Sequence, residues 1–365
     1  MSSDVVLVIV VATALVFDFT NGFHDTANVV ATSISTHAMP PRIAVAYAAA
    51  FNFVGAFISL AVAATVATGV VDSDVITPTV VFAGLVGAII WNLATWYFGL
   101  PSSSSHALIG GVVGAAFAAA GSDAVLGEGV LGKVLIPAVI APIVAFTVGA
   151  IAINLVYGVV GRERPGPVNR GFRFGQIISG GMLALAHGTN DAQKTMGVIT
   201  LALIANGNLS SDANVPTWVV ISAASAIALG TYAGGWRIIR TMGTRIIKMD
   251  AAQGFSAQGA GAAVILASSH YGFPLSTTHV INGGVIGAGA GKQVSAVRWG
   301  VAGNIVAAWL LTLPAAAAMG AAAYGFTRLF GTGATGPIIL AALGVAALAL
   351  VFTRRFRQEP LPAGG

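Results

Sequence analysis

Cysteine is absent from all 365 residues, which excludes disulfides, thiol nucleophiles, thiolate metal sites and iron–sulfur clusters. Charge is nearly as scarce. Only 8% of the residues are charged while 56% are hydrophobic, and a soluble domain carries about a quarter charged residues. Also missing are the ~10-residue alternating segments of a transmembrane barrel. Helices and closed barrels are the only structures that span a bilayer. Recurrent apolar stretches long enough for ~30 Å of hydrocarbon therefore predict an all-α, polytopic transmembrane helical bundle. Without thiols a redox carrier is disfavoured, leaving only His-ligated haem open.

Apolar segments lie near 5–20, 43–69, 79–98, 104–120, 134–160, 174–206, 217–235, 257–270, 275–291, 299–326 and 337–353. The first run leads into Asp18 and Asp25, not to a small-residue cleavage site, and is expected to be a retained span. The net charge of +5 sits in loops, which argues against a nucleic-acid partner. Most Lys and Arg fall in four stretches: Arg162, Arg164, Arg170 and Arg173; Arg237, Arg240, Arg245 and Lys248; Lys292 and Arg298; Arg354, Arg355 and Arg357. The positive-inside rule makes these cytoplasmic and puts Asp72, Asp74, Asp123, Glu128 and Asp212 outside. The N-terminus is then outside and the C-terminus cytoplasmic. This assignment closes only if 79–98 with 104–120, and 257–270 with 275–291, each return to the side they entered, as two re-entrant helical hairpins.

The second half repeats the first. Pro101-Ser-Ser-Ser-Ser-His106 followed by Gly110-Gly111 matches Pro274-Leu-Ser-Thr-Thr-His279 followed by Gly283-Gly284, and Gly99 and Gly272 stand two residues before the prolines. Asn21-Gly22-Phe-His-Asp25-Thr-Ala-Asn28 aligns with His187-Gly188-Thr-Asn-Asp191-Ala-Gln-Lys194. The reading is a first transmembrane repeat at 1–160, a cytoplasmic linker at 161–173, an inverted second repeat at 174–326, and an extra helix with a basic tail at 327–365. Inverted repeats are a transporter architecture, with the substrate at the midplane between broken helices.

The hydroxyls Ser103, Ser104, Ser105, Ser276, Thr277 and Thr278 suit helix N-caps. Two such helix starts near the membrane centre also attract anions through exposed N–H groups and positive dipoles, which makes these six residues candidate oxyanion ligands. His106 and His279 read as structural, with proton transfer as the alternative. Asp25 and Asp191 interrupt apolar segments, and an intramembrane carboxylate costs about 2.5–3.5 kcal/mol, so each is a functional candidate. With Asn28, Asn190 and Gln193 they suit a hard cation or a proton, with Na+ at Asp25/Asn28 as the one metal site considered. Asp18 is a weaker candidate with no partner in the repeat. Lys194 takes the place of Asn28 in the second motif, either as a fixed stand-in for a bound cation or as a salt bridge to Asp191.

These motifs resemble the inorganic phosphate transporter (Pit) family, from Asn21 to about Gly303. Its Gly-x-Asn-Asp-x-Ala-Asn pattern is met by Gly22 to Asn28 and by Gly188 to Lys194, with departures at His24, Gln193 and Lys194. Those departures are similar to bacterial low-affinity, proton-coupled members. The resemblance implies symport of phosphate, free or complexed with Mg2+ or another divalent metal, by a homodimer in the lipid of a prokaryotic inner membrane, with no cofactor beyond a coupling H+ or Na+. It leaves sulfate permease as the alternative. An anion channel would share the hairpins but not accumulate substrate. No Ser/His/Asp spacing or metal-ligand helix pair supports an enzyme. Proton coupling through Asp25 is the expected mode, because its half lacks a fixed cation. A phosphate dianion entering against 100 mV also opposes roughly 4.6 kcal/mol unless cations accompany it.

Overall fold

The computed structural model describes residues 2–72 and 75–358, with side chains placed for 3–72 and 75–347. Asp74 and the side chains of Arg354, Arg355 and Arg357, used above for orientation, lie outside the described residues. The described chain is all-helical apart from an isolated bridge between Val71 and Val125. The first half holds α1 (Ser2–Ser35), α2 (Pro41–Gly55), α3 (Ala61–Thr68), α4 (Pro78–Phe98) and α5 (Ser104–Ala120). It continues with α6 (Gly127–Val130), which runs through a π turn at Leu131–Leu135 into α7 (Ile136–Val160). The second half holds α8 (Pro165–Ala205), α9 (Thr217–Ala233), α10 (Trp236–Arg240), α11 (Ala251–His270), α12 (Thr277–Lys292) and α13 (Trp299–Arg328). Last comes α14 (Thr335–Gln358).

Prolines stand at the first turn of α2, α4 and α8, where a missing N–H costs nothing. α11 opens with a full capping box between Asp250 and Gln253. Length and apolar composition fit α1, α4, α5, α6–α7 and α13 for crossing a membrane, with α9 and the segment after it bent by 58° as a further broken span. The result is a multi-pass membrane protein.

Three elements differ from the sequence reading. Asp25 and Asp191 interrupt the apolar runs of the sequence, yet α1 and α8 continue unbroken through both, so no backbone oxygens are freed there. At 1.5 Å per residue these helices are about 50 and 60 Å long. The breaks fall elsewhere, between α4 and α5 and between α11 and α12. The segment 43–69 divides between α2 and α3, and the linker at 161–173 is helical from Pro165 onward, since Pro165 and Pro167 sit in a first turn that tolerates them.

The glycine pairs explain the packing. Gly110 and Gly114 of α5 lie against the backbone of Leu313 and Ala317 in α13, while Gly283 and Gly287 of α12 lie against Pro142 and Phe146 in α7. A Cβ at any of these positions would overlap that backbone, so only glycine allows so close an approach. Each half's second hairpin helix thus packs on the last long helix of the other half. Pro142 within α7 and Pro314 within α13 occupy matching places, at nearly the offset that relates the Pro101 and Pro274 motifs.

Candidate functional site

The two hairpin tips are built alike. Gly99 and Gly272 adopt left-handed φ of 66° and 73°, a region that glycine enters without strain. This lets Leu100 N–H reach back to Thr95 O at 2.9 Å and Phe273 N–H to Ser268 O at 3.0 Å, closing both helices in the Schellman manner. After Pro101 and Pro274, the hydroxyls of Ser103 and Ser276 accept from His106 N–H (3.1 Å) and His279 N–H (3.2 Å). These two of the six predicted oxyanion ligands are therefore N-caps. The tips touch, with the His106 and His279 rings 4.7 Å apart, and His279 stacks on Trp309 at 4.0 Å. The Trp309 indole N–H in turn holds Pro101 O at 3.2 Å.

The other four hydroxyls converge on the crossing of α1 and α8. Thr278 donates to Asp25 Oδ1 at 3.4 Å and accepts from the Asn28 amide at 2.9 Å. Thr277 donates to Asp191 Oδ2 at 3.0 Å. Ser105 accepts from Lys194 Nζ at 2.6 Å, and Ser104 lies 3.4 Å from His24 Nδ1. All four are buried, as are Asp25, Asn28, Asp191 and Lys194.

The two carboxylates are partnered differently. Asp25 Oδ1 meets His24 Nδ1 at 2.7 Å, whereas its Oδ2 has no hydrogen-bond partner. Asp191 is bound by the Lys194 ammonium and has His187 Nε2 at 3.0 Å. Lys194 also donates to Leu275 O at 2.6 Å, tying the second tip to α8. Asp25, His187 and Asp191 each offer one ligand atom, and these atoms lie within 4.8 Å of one another. The sequence reading had not singled out His187. Its spacing four residues before Asp191 on one helix face was the available signal, and its alignment opposite Asn21 hid it. Asn52 orients the ring by meeting His187 Nδ1 at 3.2 Å.

Two expected cation ligands face elsewhere. Gln193 Oε1 accepts from Val62 N–H (2.9 Å) and Ala63 N–H (3.2 Å), capping the start of α3. Asn190 donates to Ser269 Oγ (2.8 Å) and Phe273 O (3.1 Å), steadying the second hairpin.

A buried polar line leads away from the centre along α1. Gln258 donates to Thr32 Oγ1 and Ser33 Oγ, both at 2.7 Å, and accepts from Ser179 at 2.8 Å. One turn on, Thr36 donates to Gln176 Oε1 at 2.9 Å. The line ends at a cavity of about 510 Å³ bordered by Thr36, His37, Arg173, Lys248, Asp250 and Arg298. Its one acid, Asp250, is already paired with Lys292 at 2.7 Å. Among the described residues, no carboxylate pairs with Arg173, Lys248 or Arg298.

A model of the phosphate transporter family matches residues 21–167 and 161–320. The chain is 54% identical over 359 residues to a "Probable low-affinity inorganic phosphate transporter" of Mycobacterium tuberculosis, covering 97% of this chain and 85% of that one. It is 45% identical to the Bacillus subtilis protein of the same description over 323 residues, 88% of this chain and 96% of the other. Among solved structures, one titled "The sodium-dependent phosphate transporter" superposes with a TM-score of 0.83 at 23% identity, covering 89% of this chain and 99% of that chain.

Proposed function

Because the chain belongs to the phosphate transporter family, we propose that it imports inorganic phosphate across a cell membrane by secondary active transport and alternating access. The observation that carries this reading is the convergence of four hydroxyls at the start of two helices on the crossing of α1 and α8, where Ser105 meets Lys194, Thr277 meets Asp191, Thr278 meets Asp25 and Ser104 lies beside His24. Hydroxyls, first-turn amides and an ammonium together make an oxyanion site. Phosphate arriving there takes over Lys194 and Thr277, and so frees Asp191 for a cation.

The cation we infer is a divalent metal carried as part of the substrate. Two carboxylates and an imidazole within 4.8 Å suit a borderline transition metal better than Mg2+, which prefers an all-oxygen shell. A neutral metal–phosphate unit avoids the roughly 4.6 kcal/mol that a dianion opposes at 100 mV. It also removes the repulsion between phosphate and Asp25. Net drive then comes from H+ or Na+, with Asp25 and its unpartnered Oδ2 as one receptor.

The inverted-repeat, re-entrant topology is part of the proposal. Matched tips that meet head on, reciprocal glycine packing, and the Pro142 and Pro314 pair support it. The line from Asn28 through Gln258 and Gln176 to the basic cavity is the closed cytoplasmic path. Counterflow of labelled phosphate and labelled sulfate in proteoliposomes, with sodium, pH and divalent metals varied separately, tests the reading. Phosphate exchange that is insensitive to added or chelated metal would leave transport standing and remove the metal. No exchange of either anion would remove both.

A further inference from the structure

Asp18 is fully buried in α1, and no hydrogen bond of normal geometry reaches either of its oxygens. Beside it lie Asn21, one turn on along α1, and Thr195 of α8. Asn21 Oδ1 and Thr195 Oγ1 are likewise buried without hydrogen-bond partners. Four oxygens without a hydrogen bond of normal geometry thus share one place, where only the Thr195 hydroxyl and the Asn21 amide stand close enough to offer weak donors, and a buried carboxylate so poorly served takes up a proton or a counter-cation. Seven residues of helix put Asp18 about 10 Å from Asp25 along α1, and Thr195 is one turn beyond Asp191. The group forms its own layer, toward the N-terminal end of α1.

The duplication does not supply a twin. At the offset that aligns Asp25 with Asp191, Asp18 falls on Ala184, Asn21 on His187 and Val29 on Thr195. The charged groups that face Asp18 are Asp191 and Lys194 of α8, and these two are bound to each other. α4 and α9, packed on either side of α1, carry no Asp, Glu, Lys, Arg or His. α5 and α12 bring only His106 and His279 to the tips, and α14 brings no ionisable residue over Thr335–Ala347. Among the described residues, the only positive charge that faces Asp18 is Lys194, and it is already bound to Asp191.

We propose that Asp18, Asn21 and Thr195 form a separate site for one monovalent cation, H+ or Na+, that drives transport from a layer with no counterpart in the other half. The inference rests on the transport reading for its role and on these four poorly served oxygens for its existence. All-oxygen donors suit a hard cation, and the absence of an imidazole separates this layer from the metal cluster.

The test uses the purified full chain. Thermal midpoints are measured with NaCl against choline chloride at fixed pH, and against pH in choline. A sodium site predicts a rise with NaCl in wild type that Asp18→Asn removes. A proton site predicts no sodium response and a midpoint that falls as pH rises, with Asp18→Asn flattening the fall. In proteoliposomes the ratio of gradient-driven accumulation to phosphate exchange should drop at least tenfold in Asp18→Asn. Thr195→Val keeps the carboxylate and should weaken the apparent cation affinity at least fivefold, so it serves if Asp18→Asn does not fold. An Asp18→Asn protein with the wild-type cation response, or unchanged cation affinity in Thr195→Val, would overturn the site. A wild type that exchanges no phosphate would defeat the transport reading, while the thermal measurements would still decide the cation site.

Discussion

Asp25 and Asp191 stand at matching positions of one duplicated motif, yet only one has a cation built in. Asp191 is bound by Lys194 and flanked by His187, whereas Asp25 meets a histidine, a hydroxyl and an amide and keeps one oxygen free. On the reading proposed above, the Lys194 ammonium holds the place beside Asp191 that a cation would take until phosphate draws it away, whereas the Asp25 half has no fixed ammonium and must import its charge.

The largest effect should come from unbalancing the half that carries its own ammonium. Lys194→Met leaves buried Asp191 with only Thr277 and His187 beside it, at a cost of about 3–5 kcal/mol, because the ammonium no longer offsets the desolvation of the carboxylate. Thermal unfolding in detergent should show this loss, and adding Asp191→Asn should restore most of the stability but not the transport. Lys194→Asn makes the two halves alike. That variant should keep some uptake and acquire sodium dependence, which Lys194→Met should not. Sodium-independent uptake in Lys194→Asn would break the comparison as drawn.

Next in size is the metal that we infer between the halves. His187→Gln should abolish stimulation of uptake by transition metals, since it removes the one nitrogen ligand among Asp25, His187 and Asp191. Asn52→Leu only frees the ring to rotate, and should weaken the apparent metal affinity by about 10–100-fold, the usual effect of losing an orienting partner. Metal titrations of counterflow would report both. Unaltered metal dependence in His187→Gln would take this residue out of the substrate site.

The hydroxyls sharpen the comparison further. Thr277→Ala or Ser104→Ala should weaken phosphate binding by about 1–3 kcal/mol per acceptor left unpaired. Ser103→Ala and Ser276→Ala should act on stability instead, by about 1 kcal/mol each, as lost N-caps do. Isothermal binding set beside thermal midpoints separates the two classes. If the basic cavity opens to the cytoplasm as proposed, Arg173→Gln combined with Lys248→Gln should raise KM severalfold for efflux but not for uptake, because these side chains border the cavity at the far end of the polar line.

The hairpin tips were legible because their residues carry local rules. Gly99 and Gly272 announce left-handed turns, Pro101 and Pro274 forbid a continuing helix, and the hydroxyls that follow announce a new start. The unbroken course of α1 and α8 was not legible. Asp, Asn and His in a row read as an interruption when their partners are unknown, and here the partners come from other elements: Thr95 and Ser104 for His24, Thr278 for Asn28. Gln176 and Gln258 escaped notice for the same reason, since their meaning lies in Thr36, Thr32 and Ser33, more than a hundred residues away. Gln193 and Asn190 were grouped with Asp191 by sequence proximity, but successive residues of a helix point in different directions, and these two serve α3 and the second hairpin.

The smallest expected effect belongs to a third acid–base pair, which tests whether burial makes the difference. Asp250 and Lys292 meet at 2.7 Å at the edge of the basic cavity, with side chains 31% and 46% exposed. Partial burial alone would raise the Asp250 carboxyl, but bonds from Lys292, Tyr157 and the Gln253 amide outweigh it and hold the carboxyl below its ordinary value. The hydrogen bond to Asp250 holds the Lys292 ammonium above its own ordinary value. The signs then fix the window. The carboxylate's contribution is present above its unfolded value of about 3.9 and is lost as pH falls through the depressed folded one. The ammonium's contribution is complete below about 10.4 and is lost as pH rises through the elevated folded one. Between these limits, solvent screens a pair this exposed. Lys292→Gln should therefore cost no more than about 1 kcal/mol, a fraction of the Lys194→Met loss, with the difference from wild type vanishing at acid pH and shrinking in high salt. A cost at neutral pH as large as that of Lys194→Met, or one indifferent to salt, would show that geometry and not burial separates the two pairs.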